Sequence, residues 1–290
     1  MIANILRALL FGVAVGAVAV GVAGIGMLVG WAAWEMLWPV WVTTATVGVL
    51  ASYVKSAVVN AVQNRVQTVL KKMDRLNRGV GDIHGMLRLS PYMDKLPLPF
   101  GGGWALAGDS AALLAREVIL RQPKLVVELG SGVSTLVIGQ ILARHAGSRL
   151  ISFDHDAHWA AETRRYVEYL GLGSVVTVVD APLSPILVGG RQLEWYAIDP
   201  DLLSSINPID LLVVDGPPAR NSEGGMARFP AFPVFRERLS AQAIVFVDDS
   251  RRKGESEMIR EWERSAPEWN TSFFDTVDGV AIMSRSLGRT

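Results

Sequence analysis

Four hydrophobic runs in the second half of the chain stop at carboxylates: Asp154, Asp180, Asp215 and the pair Asp248–Asp249. One such aspartate usually caps a helix or forms a turn. Several along one sheet edge make a site, because clustered carboxylates are costly unless they hold hydroxyls, amines or a metal. A further run, "KLVVEL", passes through Glu128 and opens into "ELGSGVST", where Gly130 and Gly132 flank Ser131. A strand that hands over to Gly-x-Gly lets a nucleoside come close to the backbone. A dinucleotide fingerprint needs a third small residue, and Thr135 stands there instead. A nicotinamide-dependent oxidoreductase is therefore the weaker rival. Asp154 lies 22 residues after Gly132, at the end of the next strand, where a carboxylate can take both hydroxyls of a ribose.

The elements that must position these residues read as alternating strands and helices. "KLVVEL", "RLISFD", "VVTVVD", "IDLLVVD" and "AIVFVDD" are near-continuous apolar runs. Between them lie helical stretches such as "STLVIGQILARHA", "AHWAAETRRYVEYLG" and "PVFRERLSA". That alternation predicts a parallel sheet covered on both faces. "TSFFDTVDGVAIMSR" reads as a closing hairpin turned at "VDG". Ligands of such sheets bind beyond the carboxyl ends of the strands, where the carboxylates fall.

In that order, "VVELGSGVST", "ISFDHD", "VVDAPL", "DLLVVDGPP" and "IVFVDDSRR" resemble the class I S-adenosylmethionine-dependent methyltransferases over residues 86–290, above all bacterial members carrying E-L-G-S-G and D-G-P-P. The resemblance implies an α/β, Rossmann-like seven-stranded, mostly parallel sheet with an antiparallel last strand. It implies S-adenosylmethionine as cofactor, with Glu128, Gly130, Ser131 and Gly132 along its methionine and ribose part. Asp154 would bind the ribose, His155 would form a wall, Asp180 and Ala181 would lie beside the adenine, and Asp215 would border the cofactor.

Methyl transfer is an in-line displacement that requires a held acceptor and, for a hydroxyl, removal of a proton. Asp215, Asp248 and Asp249 end neighbouring strands and would converge there as catalytic groups or as an oxygen-only site for Mg²⁺. The arrangement is similar to the catechol-type O-methyltransferases, with Asp-Asp where those carry Asp-Asn and with Pro217–Pro218 after Asp215. In the alternative, Asp215 caps a turn and Arg251 and Arg252 neutralise the pair. The segment "GPPARNSEGGMARFPAF", with Phe229 and Phe232, and the stretch around Trp104 read as an acceptor-binding surface. Asp109 reads as the N-cap of the following helix.

The chain has no cysteine, which excludes disulfides and thiolate chemistry, and its formal net charge is zero. The four histidines lack ligand spacing, and no basic, aromatic-interleaved stripe for nucleic acid is present. The first 54 residues differ in texture. Ala8 to Trp34 is 27 residues without a charge and Met36 to Val54 another 19, parted by Glu35. Each is about long enough to cross a bilayer, for which roughly 20 apolar residues are needed. A buried soluble helical hairpin is the alternative. Trp31, Trp34, Trp38 and Trp41 cluster at the joint, and Lys55, Arg65, Lys71, Lys72, Arg75 and Arg78 follow the second run. By the positive-inside bias both ends would face the cytoplasm. Val59, Val62, Val66, Val69, Met73 and Leu76 recur at heptad spacing, as for a dimerising stalk or an amphipathic helix packed elsewhere. That helix should end near "RGVGD", at Gly79 and Gly81.

The expected organisation is thus a two-span transmembrane hairpin over 1–54, a basic stalk over 55–84 and a catalytic domain over 85–290. The expected function is methylation of a small-molecule, lipid-linked or glycan acceptor beside the bilayer, by a protein with both termini in the cytoplasm. The competing reading is a membrane scaffold that keeps the fold without transferring methyl groups.

Overall fold

A computed structural model describes residues 31–93, 106–218 and 226–286, together with Gly21 and Gly24, both helical. The chain divides into two compact units, residues 1–74 and residues 75–290.

Helix α1 (Trp31–Leu89) is 59 residues long. It runs through Glu35 and Pro39 without a turn, so the expected joint is helical, and no hairpin falls within 31–89. The first expected span lies almost wholly outside the described residues. In the second, Thr43 donates to the Pro39 carbonyl at 2.9 Å, Thr44 to Val40 at 2.7 Å and Thr46 to Val42 at 2.7 Å. Hydroxyls satisfied on their own helix need no water, as an apolar surrounding demands. Among the described residues this one helix is long and apolar enough to cross a membrane, judged by length and composition.

The helix does not stop at Gly79 and Gly81 but continues to Leu89. Close packing falls instead on Gly85, further along the helix. A Cβ on Gly85 would lie 2.0 Å from the Gly108 backbone, and the Gly108 amide donates to Asp82 Oδ1 at 2.8 Å. Backbone meets backbone there, and only glycine permits it. We expect Gly85→Ala to destabilise the domain by about 1–3 kcal/mol through overpacking, despite its better helix propensity. Thermal unfolding checks this.

The second unit holds α2 (Gly108–Arg121), β1 (Leu125–Leu129), α3 (Val133–Leu142), β2 (Arg149–Asp154), α4 (Ala157–Tyr169) and β3 (Val176–Asp180). A hairpin of β4 (Leu183–Val188) and β5 (Arg191–Tyr196) follows, then α5 (Pro200–Ser205), β6 (Ile209–Val214) and α6 (Ala231–Phe235). β7 (Leu239–Val247), α7 (Lys253–Ser265), β8 (Trp269–Phe274) and β9 (Val280–Arg285) complete it. Seven strands form one sheet in the order β3-β2-β1-β6-β7-β9-β8, with β1, β2, β3, β6 and β7 parallel and β9 antiparallel to its neighbours. The expected Rossmann-like sheet is present. β1 is buried along its whole length, which is why it reads as an unbroken Val/Leu run.

Local expectations fail in three places. "PVFRERLSA" is not one helix: α6 ends at Phe235, and β7 begins at Leu239. The β4–β5 hairpin was not anticipated. Asp109 is not an N-cap; it lies inside α2 and accepts the Val277 amide at 2.8 Å, tying the helix to the β8–β9 turn.

Candidate active site

The carboxyl ends of β1, β2, β6 and β7 surround a cavity of about 490 Å³, within the usual range for small-ligand sites. Its floor is the turn after β1. Gly130 has φ +99°, and a Cβ there would sit 3.2 Å from the Asp215 backbone, so the position demands glycine. At Gly132 the space around a notional Cβ is open, which leaves the turn accessible from the cavity. Thr135, which breaks the dinucleotide pattern, holds the turn from behind. Its hydroxyl accepts the Gly132 amide at 2.9 Å and donates to Glu128 Oε2 at 2.5 Å.

Glu128 lies beneath the turn, fully buried, and not on the cavity wall. Ser152 also donates to its Oε2, at 2.6 Å. Burial pushes its carboxyl up to about 7, although the Ser152 and Thr135 hydroxyls pull the other way. Its part is to tether the turn, one layer back from any ligand.

Asp154 does reach the cavity. Its Oδ2 accepts the Ser131 amide at 2.9 Å and the Ser131 hydroxyl at 2.6 Å, and its Oδ1 accepts the Asp156 amide at 3.0 Å. Burial alone would raise this carboxyl. The His155 ring, with Nδ1 at 3.4 Å, and the Ser131 hydroxyl outweigh it and hold the group below the usual range. It is therefore an anion, aimed across the Gly turn. His155 borders the cavity, as expected of a wall. Asp180 and Ala181 do not line it: Asp180 is half exposed and pairs with Arg164, and Ala181 is buried in the core.

At the other end Asp215, Asp248 and Asp249 converge, with an oxygen of each within 4.8 Å of the others. Burial pushes Asp215 up to about 7, against the pull of Arg228. Asp248 is driven well above the usual carboxylate range by burial, then by the charges of Asp215 and Asp249. Its Oδ1 is buried and has no hydrogen-bond partner among the described residues. The neutralising arginines differ from those expected. Arg252 binds Asp249 Oδ2 at 2.7 Å, whereas Arg251 turns away to Asp275. The principal partner is Arg228, buried among the three. Nothing in the spacing marks it: it stands in an irregular segment 13 positions beyond Asp215.

Other expectations for this region are corrected. Phe229 and Phe232 belong to the core and do not form an acceptor surface. Trp104, Gly224 and Gly225 lie outside the described residues. Tyr196, from the unanticipated hairpin, lines the cavity, and its buried hydroxyl likewise lacks a partner among the described residues. Trp159, Thr163 and Tyr166 of α4 form another wall. Their helix was legible in the sequence; the face it turns inward was not.

A domain-family model described as a methyltransferase domain matches residues 127–250. That span carries the turn, Asp154 and the aspartate trio. The chain thus carries a methyltransferase domain over that span. Solved structures that resemble it include a methyltransferase from Geobacter sulfurreducens, 19% identical with a TM-score of 0.44, covering 60% of this chain and 77% of that one. The O-methyltransferase from Bacillus cereus in complex with SAH is 14% identical with a TM-score of 0.48, covering 64% of this chain and 84% of that one. The O-methyltransferase TomG from Streptomyces achromogenes, in complex with SAM, is 15% identical with a TM-score of 0.47, covering 69% and 89%. No curated protein matches the sequence.

Proposed function

We propose that the protein is a membrane-anchored O-methyltransferase acting on a hydroxyl of a small, lipid-linked or glycan acceptor. The observation that carries this reading is the pairing, in one cavity, of an anionic Asp154 across a glycine turn with a raised-pKa Asp215 at the far end.

The residues fit S-adenosylmethionine. Asp154 would take the ribose hydroxyls, the open backbone at Gly132 would let the ligand approach, and the rings of Trp159 and Tyr166 offer flat apolar faces. When bound, the cofactor supplies a methyl group on a positively charged sulfur. The chain's own residues do the rest. Asp215, on the cavity wall, would take the proton of an acceptor hydroxyl as its oxygen attacks the methyl group that the cofactor would supply. A base with a pKa near working pH is effective, since it is both ionised and basic enough. The acidic lining also disfavours a carboxylate acceptor, which would meet like charges. A mixture of membrane lipid extract and labelled S-adenosylmethionine tests the proposal. Label recovered as a base-stable ether supports it; label recovered only as a base-labile ester overturns the hydroxyl assignment.

Anchoring follows from the apolar half of α1, and the basic residues beyond it favour a cytoplasmic catalytic domain. The heptad seam gives the anchor a partner. Val59, Val62, Val66, Val69, Met73 and Leu76 are all exposed, and the continuing helix adds Val80, Ile83 and Leu87 at the same spacing. A strict 3.5-residue repeat drifts about 20° per heptad on a straight helix and stays on one face only in a supercoil. The proposed occupant is a second copy, held parallel by the shared bilayer. Val62→Asp with Val69→Asp should convert a detergent-solubilised dimer into a monomer by light scattering. A wild-type monomer contradicts the dimer.

A further inference from the structure

We infer that Arg228 occupies the place a divalent cation would take, so that methyl transfer by this chain needs no metal. The aspartate trio has the donors of a hard-cation site: three carboxylates from two adjacent strand ends, with oxygens within 4.8 Å of one another. The donor type fits, but a protein cation already lies among the three residues. The Arg228 guanidinium donates from Nη2 to Asp249 Oδ2 at 2.9 Å and to the Asp215 carbonyl at 2.8 Å, with Asp215 Oδ1 at 3.5 Å. Its Nη1 donates to the Asp248 carbonyl at 3.1 Å. One planar cation thereby touches all three residues of the trio and clips the ends of β6 and β7 together.

Arg252 adds a second guanidinium on Asp249 Oδ2. A metal placed among these oxygens would have to displace one arginine and endure the other. Displacement is blocked by the way the segment around Arg228 is fastened. The Arg228 side chain is only 4% exposed. The next carbonyl, of Phe229, accepts the Trp262 indole N–H at 2.9 Å, and the Arg228 carbonyl accepts the Ala231 amide at 3.1 Å. Phe229 itself is buried in the core. The guanidinium thus has no alternative position without unpacking its neighbours.

Two guanidinium groups already lie against the trio, both bonded to Asp249 Oδ2. In this arrangement Arg228 is a positioning residue: it fixes Asp249 and both strand ends and leaves Asp215 and Asp248 facing the cavity. The conclusion about transfer rests on the methyltransferase reading; the conclusion about cation binding does not.

Mn²⁺ is the probe, added to the full chain in detergent and followed by electron paramagnetic resonance of the free ion. Wild type should take up no Mn²⁺ at micromolar concentration. Arg228→Ala should gain a site, tighter by about tenfold or more because a unit positive charge a few ångströms away is removed. Adding Asp248→Asn should abolish that gain. Circular dichroism identifies a folded variant. Should the variant not fold, the wild-type measurement decides by itself. Carboxylate-dependent Mn²⁺ binding by wild type, lost in Asp248→Asn, overturns the inference. So does a folded Arg228→Ala variant that binds no Mn²⁺. As a separate readout, methyl transfer should be unchanged by EDTA; loss of transfer on chelation, restored by Mg²⁺, also overturns it.

Discussion

Asp215→Asn is expected to lower kcat by about 10²- to 10⁴-fold, the usual worth of a positioned base, with little change in affinity for the cofactor. The amide keeps the shape of the carboxylate and leaves the Asp215 carbonyl free to accept Arg228. What it removes is the group that takes the proton. The pH profile separates this from a merely structural effect. Burial raises the Asp215 carboxyl to about 7, and a base works only when ionised. Wild-type kcat/KM should therefore rise with pH through about 7, and the Asn variant should lose that limb. Asp249→Asn is the comparison. Its Oδ2 is already bonded to Arg228 and Arg252, so its loss should weaken the fold more than the chemistry. Equal kcat losses in both variants, with the pH limb retained in Asp215→Asn, would remove Asp215 from the base role.

The second large effect concerns the other end of the cavity. Asp154→Ala is expected to weaken binding of S-adenosylhomocysteine by about 10²- to 10³-fold, since it deletes two hydrogen bonds to a charged acceptor. Part of that loss comes through the turn, because Asp154 also holds the Ser131 amide and hydroxyl. Ser131→Ala isolates this part: it keeps the carboxylate, removes one tether and should cost about tenfold or less, in line with one modest hydrogen bond. Calorimetric titration of both variants measures the split. If Ser131→Ala costs as much as Asp154→Ala, the carboxylate organises the turn and does not grip the ribose.

These two residues were legible in the sequence because each ends an apolar strand, and strand ends of an open α/β sheet are where ligands go. The same logic gave the sheet itself, since buried parallel strands are written as unbroken Val, Ile and Leu. It placed Glu128 less well. An acid two residues before a turn glycine reads as a ligand contact, whereas in the fold its side chain lies under the turn with Thr135 and Ser152. Asp180 was misplaced for a related reason: it ends an edge strand, where solvent and Arg164 are nearer than the cavity. Arg228 and Tyr196 gave no signal. One sits in an irregular segment and the other on an added hairpin, and neither periodicity nor motif spacing records which tertiary cavity such segments reach. The end of α1 was misread because glycine is ambiguous. Gly79 and Gly81 break a helix pattern on paper, yet the helix runs on through them, and Gly85 lets it lie directly against Gly108.

The central claim is that one cavity, built on Gly130, Gly132 and Asp154, binds the cofactor. Its most direct test is calorimetric titration of S-adenosylhomocysteine into the detergent-solubilised full chain. The account predicts saturable binding, one ligand per chain, in the micromolar range. Absence of heat from a folded protein, or binding that Asp154→Ala leaves unchanged, would contradict it.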